Sequence, residues 1–441
     1  MTRVKGTQFL AALLLIAPLV AAAQQPPPAS SYVSATGGLT VEKLADLALA
    51  RNAGLLADRE GVTEAQGLLM QAGFRPNPDL DISVSNGAIL GGSGESEYAV
   101  GYAHTIELGA KRDRRIAVGR LNLELAKLAG ADRERRLRAD VKARFGEALA
   151  AVRNLEAAER LLELNEQSLR IASARAQEGE GAPLERALVQ VEVNRMQSDR
   201  LLFSEQIERA LLNLKALAGL KLDEPLRLNG ALTPLALNVS LAGALDRALA
   251  SRPDLLAARL EIKLGDAELD AARGEAVPNL TASARYSRST ARFDQYGFAG
   301  PGGPVVPLRD TDNILSAGVS VSLPFRNRNQ GNIQAAAARR QASRHRAEFL
   351  EQSIRSEVET SYRRYEAARR ALALFDDGVL KLSEENVKVL RAAYDLGELR
   401  LLDVVNEQRR LVETQKAYTE ILKESYSAMV DLERAVDAPL L

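Results

Sequence analysis

The sequence holds no cysteine, no tryptophan and only two histidines, His104 and His345. Without cysteine there is no disulfide frame, no thiolate metal centre and no residue for N-terminal lipidation. Two histidines are too few for a dedicated zinc or copper site unless carboxylates supply nearly all the ligands. Neither is poised for catalysis: one falls in an alternating segment and the other in an arginine-rich helical run. With no phosphate loop and no nucleophile elbow, the sequence predicts neither an enzyme nor a cofactor. An excess of one charge is missing too, since 58 basic side chains face 58 acidic ones. Nothing in that balance invites nucleic acid.

Long apolar runs are absent except at the start. Arg3 and Lys5 precede an apolar stretch from Phe9 to Val20 and the small residues Ala21 to Ala23. This pattern predicts a removable signal peptide over 1–23, too short for a comfortable membrane helix. Removing Arg3 and Lys5 leaves two more acids than bases. The absence of later runs excludes a helical membrane protein but leaves a transmembrane β-barrel open. Residues 24–38, rich in Gln, Pro and Ser, predict an extended or disordered tail.

What the sequence does have is an internal repeat. "LALARNAGLLADR" (47–59) superposes on "RALASRPDLLAAR" (247–259), and at the same offset "RPNPDL" (75–80) falls on "EAVPNL" (275–280). Later, "GEGAPLERALVQ" (179–190) matches "GELRLLDVVNEQ" (397–408), aligning Gly179 with Gly397 and Glu185 with Asp403. Register kept across such different segments marks a duplication. The first repeat, 39–218, reads as a helix over 40–73, strands about 79–88 and 97–108, a long helix about 112–178 and a return helix about 184–218. A connector at 219–240 leads to the second repeat, 241–437. There the strands fall about 279–288 and 313–323, the long helix about 331–396 and the return helix about 401–436.

The four strands alternate cleanly. Leu80, Ile82 and Val84 oppose Asp81, Ser83 and Ser85. Tyr98, Val100, Tyr102, His104 and Ile106 oppose Ala99, Gly101, Ala103 and Thr105. The other two segments repeat the pattern, with Tyr286 on an apolar face and Arg285 on a polar one. Strands of about 9–11 residues cross a bilayer when tilted, and aromatics on the apolar face suit an interface girdle. The loops at 86–97 and 292–312 are long and Gly-rich, as external barrel loops often are. Four strands cannot close a barrel, and an open edge is not tolerated in lipid. Several chains must therefore pool their strands: eight from a dimer give an interior that side chains fill, and twelve from a trimer would leave a pore.

The run from 112 to 178 lacks proline, and some 65 helical residues extend roughly 100 Å. Val141, Phe145, Ala148, Val152 and Leu155 recur at alternating four and three, as do Val358, Tyr362, Tyr365, Leu372, Phe375, Val379 and Leu382 along the second long helix. That spacing is a coiled-coil seam. At "IELGAKR" (106–112) and "LPFRNRNQGNI" (323–333), strand passes to helix. Gly109, Lys111, Arg112, Pro324, Arg326, Asn327 and Arg328 mark these seams, where the chain is expected to leave the membrane, with basic and amide side chains at headgroup level.

These two seams, "RPNPDL", "LASRPDLLAAR" (249–259) and the tip "YDLGELRLLDVVNEQ" (394–408), duplicated in this order, resemble the TolC-like outer membrane efflux proteins, nearest the CzcC-type heavy-metal branch. The resemblance implies a mixed architecture: long coiled-coil helices forming a periplasmic α-barrel, and four strands per chain contributing to a trimeric twelve-stranded outer-membrane β-barrel. It implies a homotrimer in the outer membrane of a Gram-negative bacterium, in contact with its lipid. It also implies docking to a periplasmic adaptor (membrane fusion protein) and a proton-driven inner-membrane pump. The family's acidic tip ring falls here on Asp403 and on Asn406, which departs from the usual acid. Its closed-state tyrosine is Tyr394; the usual basic partner position is Leu399, with Arg400 next door. Asp403 and Glu185 read equally as residues at helix N-termini, and Gly179 and Gly397 as tip turns beside the docking surface. The expected function is the exit duct of a tripartite efflux system for heavy-metal cations. A multidrug or type I secretion duct shares the fold, and a soluble coiled-coil adaptor or scaffold would leave the strands without purpose.

Overall fold

Both halves open on a helix broken at the same place. In the computed structural model, which describes residues 26–87, 95–178, 183–233, 237 and 239–438, α1 (Val41–Arg51) and α2 (Ala53–Ala72) are separated by Asn52. In the second half α5 (Leu241–Ser251) and α6 (Pro253–Glu275) are separated by Arg252. Thr40 and Ser240 cap the first helix of each pair by accepting the backbone N–H three residues on. The single helix expected over 40–73 is thus two. Asn52 is extended and caps α2 through Leu55 N–H at 3.0 Å, and Pro253 forces its predecessor out of the helical region in the same way.

Between helices lie β1 (Asp79–Asn86) and β2 (Ser96–Ile106), then β3 (Leu280–Phe298) and β4 (Val305–Val321). They form one antiparallel sheet in the order β1-β2-β3-β4, so β1 and β4 are its edges. The expected loop at 292–312 is instead mostly strand. Pairing of β3 with β4 continues beyond Arg288↔Asn313 to Arg292↔Arg309 and Phe298↔Val305. The turn is confined to a few residues, where Gly300 and Gly302 take positive φ and Ala299 N–H meets Pro304 O at 3.0 Å.

From β2 the chain enters α3 (Lys111–Gln177), 67 residues without interruption, and returns through α4 (Pro183–Ala218). The seam residues Val141, Phe145, Ala148, Val152 and Leu155 are all buried. The main core lies there, where α1, α3 and α4 meet the connector through Leu44, Ile207, Leu214 and Leu228. In the second half α7 (Gln330–Leu374) leads through a kink at Phe375–Val379, where Gly378 leaves the helical region at a φ of 131°, to α8 (Leu380–Asp395), and α9 (Leu401–Val436) returns. Across the kink the seam moves by one residue. Buried or half-buried positions run Val358, Ser361, Tyr365, Ala368, Leu372, Phe375, then Leu380, Ser383, Val387, Leu390 and Tyr394. Val379 and Leu382, expected in the seam, are exposed for that reason.

The segment expected as a loose tail is packed. Ala29 and Tyr32 are buried, Ser34 N–H donates to Leu228 O at 2.8 Å, and Leu228 N–H to Tyr32 O at 2.9 Å. Arg200 reaches Pro26 O at 2.8 Å. Tyr32 and Val33 supply apolar contacts that a compositional reading of a Pro-rich stretch overlooks. The signal segment 1–23 and Gly179 lie outside the described residues.

Candidate functional site: strand wall and helical tip

Register sorts the sheet into two chemistries. One face carries the rungs Ile106–Leu280–Val321, His104–Ala282–Val319, Leu80–Tyr102–Ala284–Ala317 and Ile82–Val100–Tyr286–Leu315. Among the described residues this face is left open: Leu80 and Ile82 are each 68% exposed and Leu315 79%. From Ile106 to Tyr98 the apolar band runs about 27 Å along the strand, enough for a tilted strand to cross the hydrocarbon layer. His104 falls on this face, half-buried, its Nδ1 without a hydrogen-bond partner. The other face is small and polar: Thr105 and Thr281 hydroxyls meet at 3.3 Å, and Ser283 donates to Gly318 O at 3.3 Å. On the rung Asp81–Gly101–Arg285–Ser316, the missing side chain of Gly101 lets Arg285 lie across β2. It reaches Asp81 Oδ1 at 3.4 Å and Ser83 Oγ at 2.9 Å.

The two seams spend their polar groups differently. Gly109 and Ala110 before α3, and Asn329 before α7, take left-handed φ, turning strand into helix at both joins. At the first, Lys111 is buried, its Nζ 2.8 Å from Asn279 Oδ1 and 3.4 Å from Glu275. Arg112 donates to Gly73 O at 2.6 Å, and Arg115 clamps both carboxylate oxygens of Glu107. The cation lies at the carbonyl end of α2, where a helix dipole favours it. These two side chains are therefore turned into the protein rather than toward headgroups. At the second seam Arg326, Asn327 and Arg328 are exposed and Pro324 half-buried; Asn327 accepts Asn329 N–H at 3.0 Å, and Asn329 reaches Ala272 O at 2.7 Å.

At the far end, α8 turns into α9 through Gly397, whose φ of 80° needs glycine. Gly397 N–H donates to Tyr394 O at 2.9 Å and Glu398 N–H to Ala393 O at 3.0 Å. Asp403 stands in the first turn of α9 and accepts Arg400 N–H at 3.3 Å, capping the helix. Asp403, Asn406 and Arg400 are exposed, and Glu185 is half-buried in the first turn of α4. Tyr394 does not meet Arg400. Its ring lies under the guanidinium of Arg175 at 5.4 Å, with Arg175 Nη1 3.4 Å from the hydroxyl. Arg175, in the last turn of α3, is the residue that sequence reasoning missed; its partner is 219 positions away, and only the antiparallel pairing of long helices brings the two together. Above the tip, Glu192 of α4 binds Arg409 of α9, and seven residues on Asp199 binds Lys416 at 3.1 Å. Both pairs span 217 positions, so α4 and α9 run side by side in parallel with the two repeats in matching register.

This arrangement can line a passage, and among the described residues there is no cluster of metal-ligating side chains. The chain matches the family model "Outer membrane efflux protein" over residues 44–220 and 244–437. The cobalt-zinc-cadmium resistance protein CzcC of Cupriavidus metallidurans is 25% identical over 402 residues, 91% of this chain and 90% of that protein. The nickel and cobalt resistance protein CnrC of the same organism is 27% identical over 317 residues, 70% of each. A solved structure of CusC, 18% identical, superposes with a TM-score of 0.74 over 95% of this chain and 96% of that one. Strand wall, long helices and family match together make the chain a member of the outer membrane efflux protein family, a non-enzymatic outer-membrane channel with its helical part in the periplasm.

Proposed function

We propose that this chain is the outer-membrane exit duct of a tripartite efflux system exporting divalent heavy-metal cations. It acts as a homotrimer that docks by its helix tips onto a periplasmic adaptor and draws energy from a proton-driven inner-membrane pump. The observation that carries the duct is the four-stranded sheet with an uncovered apolar face and two open edges: in lipid those edges need partner strands, and three copies supply twelve. The cargo rests on the relatives, which are named for resistance to cobalt, zinc, cadmium and nickel. Three exposed copies of Asp403 around a threefold axis would favour cations, and the Arg175–Tyr394 contact would tie α3 to α8 in the resting tip.

Deleting the gene tests the cargo. The proposal expects sensitivity to zinc, cobalt or cadmium with drug and detergent tolerance unchanged. Loss of drug tolerance alone, with metal tolerance intact, would assign the duct to a multidrug pump instead.

A further inference from the structure

Above the apolar band the hairpin of β3 and β4 continues, and its charges are sorted by face. Arg288 follows Tyr286 on the outward face, about 7 Å further along the strand, on a rung with Val84, Tyr98 and Asn313. Tyr286 donates to Asn313 Oδ1 at 2.8 Å, tying its rung to this one, on which the apolar Val84 and Tyr98 meet the polar Arg288 and Asn313. The next outward rung pairs Thr290 with Thr311, and the one after it pairs Arg292 directly with Arg309. Alternation puts Asp310 and Asp312 on the opposite face, turned to the lumen side with Glu97. The outward face of the hairpin thus presents Arg288, Arg292 and Arg309, all exposed, and among the described residues none of the three forms an ion pair.

Two arginines directly opposite each other on a sheet repel. The paired carboxylates beside them on β4, Asp310 and Asp312, lie on the opposite face. A bound anion between the two arginines would turn the repulsion into a bidentate clamp, the geometry in which arginine recognises phosphate. The position fixes what that anion is attached to. The patch is continuous with a lipid-facing band, begins on its last rung beside Tyr98 and next to Tyr286, and rises on the side away from the helices. That is the outer leaflet, where headgroup phosphates lie.

We propose that Arg288, Arg292 and Arg309 form a binding surface for the phosphate groups of the phosphorylated glycolipid of the outer leaflet. Arg288 engages the headgroup nearest the hydrocarbon boundary, and the Arg292–Arg309 pair clamps a phosphate further out. The proposal rests on the membrane placement of the sheet and is independent of the cargo.

Native mass spectrometry of the detergent-purified oligomer tests it, titrated with lipid A and with enzymatically dephosphorylated lipid A. Retention of lipid A is expected to exceed that of the dephosphorylated form by about tenfold or more, the scale set by several arginines at a charged surface. The triple variant R288Q/R292Q/R309Q should lose that preference while keeping its oligomeric mass and its weak retention of dephosphorylated lipid A. R326Q/R328Q, at the periplasmic seam, should keep the preference. If the triple variant does not assemble, R309Q alone breaks the facing pair and should weaken lipid A retention in part. Equal retention of both lipid forms by the natural protein, or an undiminished preference in the assembled variant, overturns the proposal. Phosphatidylglycerol held as tightly as lipid A also overturns it, by reducing the surface to a general anionic-lipid contact. None of these outcomes bears on metal tolerance.

Discussion

A substitution can separate the cap that Asp403 forms from the cation preference proposed for it. Its carboxylate accepts Arg400 N–H at 3.3 Å, a capping bond that an amide oxygen can also make. Asp403→Asn is therefore expected to leave thermal unfolding within a degree or two while lowering cation preference in planar-bilayer conductance; unchanged selectivity would leave Asp403 as a cap alone. Arg175→Ala removes the guanidinium over Tyr394, and the expected outcome is more frequent opening in the same bilayers, with no change if the tip is held elsewhere. Away from the tip, Arg252 is buried and donates to Glu357 and Asp254, each at 2.7 Å, and to Ala435 O at 3.2 Å. Arg252→Met strands the acids, and removing one partner of such a group costs about 3–5 kcal/mol, readable in chemical unfolding. Burial works against the charged form of Asp254, but Arg252 and then Arg135 outweigh it and hold its pKa below the ordinary value. The sign follows: stability from this group is complete above about pH 4 and is lost as pH falls through the depressed value. An unfolding midpoint flat from pH 6 down to pH 2 would contradict it. At this scale the family resemblance singled out Asp403 and Tyr394, and the tip pattern singled out Gly397. Arg175, and the inward turn of Lys111 and Arg112, depended on partners dozens to hundreds of residues away.

Among the elements, helix spacing is set by small residues as much as by large ones. Gly146 of α3 faces the Tyr426 ring of α9 so closely that a Cβ would stand 2.3 Å from Cδ1. Gly146→Ala must push the ring or part the helices, at a cost of about 1–3 kcal/mol; an unaltered midpoint would mean that the two helices are not in register there. Strand and helix identities were legible because period-two alternation over Leu80–Val84 and Tyr98–Ile106 and the four-three beat of Val141–Leu155 survive without tertiary help. The misses have one cause apiece. Pairing with β4 carries β3 through a Gly-containing stretch that reads as loop. The kink at Gly378, within Phe375–Val379, shifts the seam by a residue that no heptad count anticipates. The N-terminal segment gains its order from the connector, through Leu228.

For the molecule as a whole, the chain taken alone is unfinished. Its helices have buried cores, but its sheet has one layer, an apolar face open to whatever surrounds it and unpaired amides along β1 and β4. Repeat symmetry supplies two hairpins per chain, and closure needs more strands than one chain has. The most direct test is the mass of the detergent-extracted, unheated particle by light scattering or native mass spectrometry. Three chains per particle, collapsing to one on boiling, is the predicted result. A monodisperse single chain that stays in solution without detergent would contradict it.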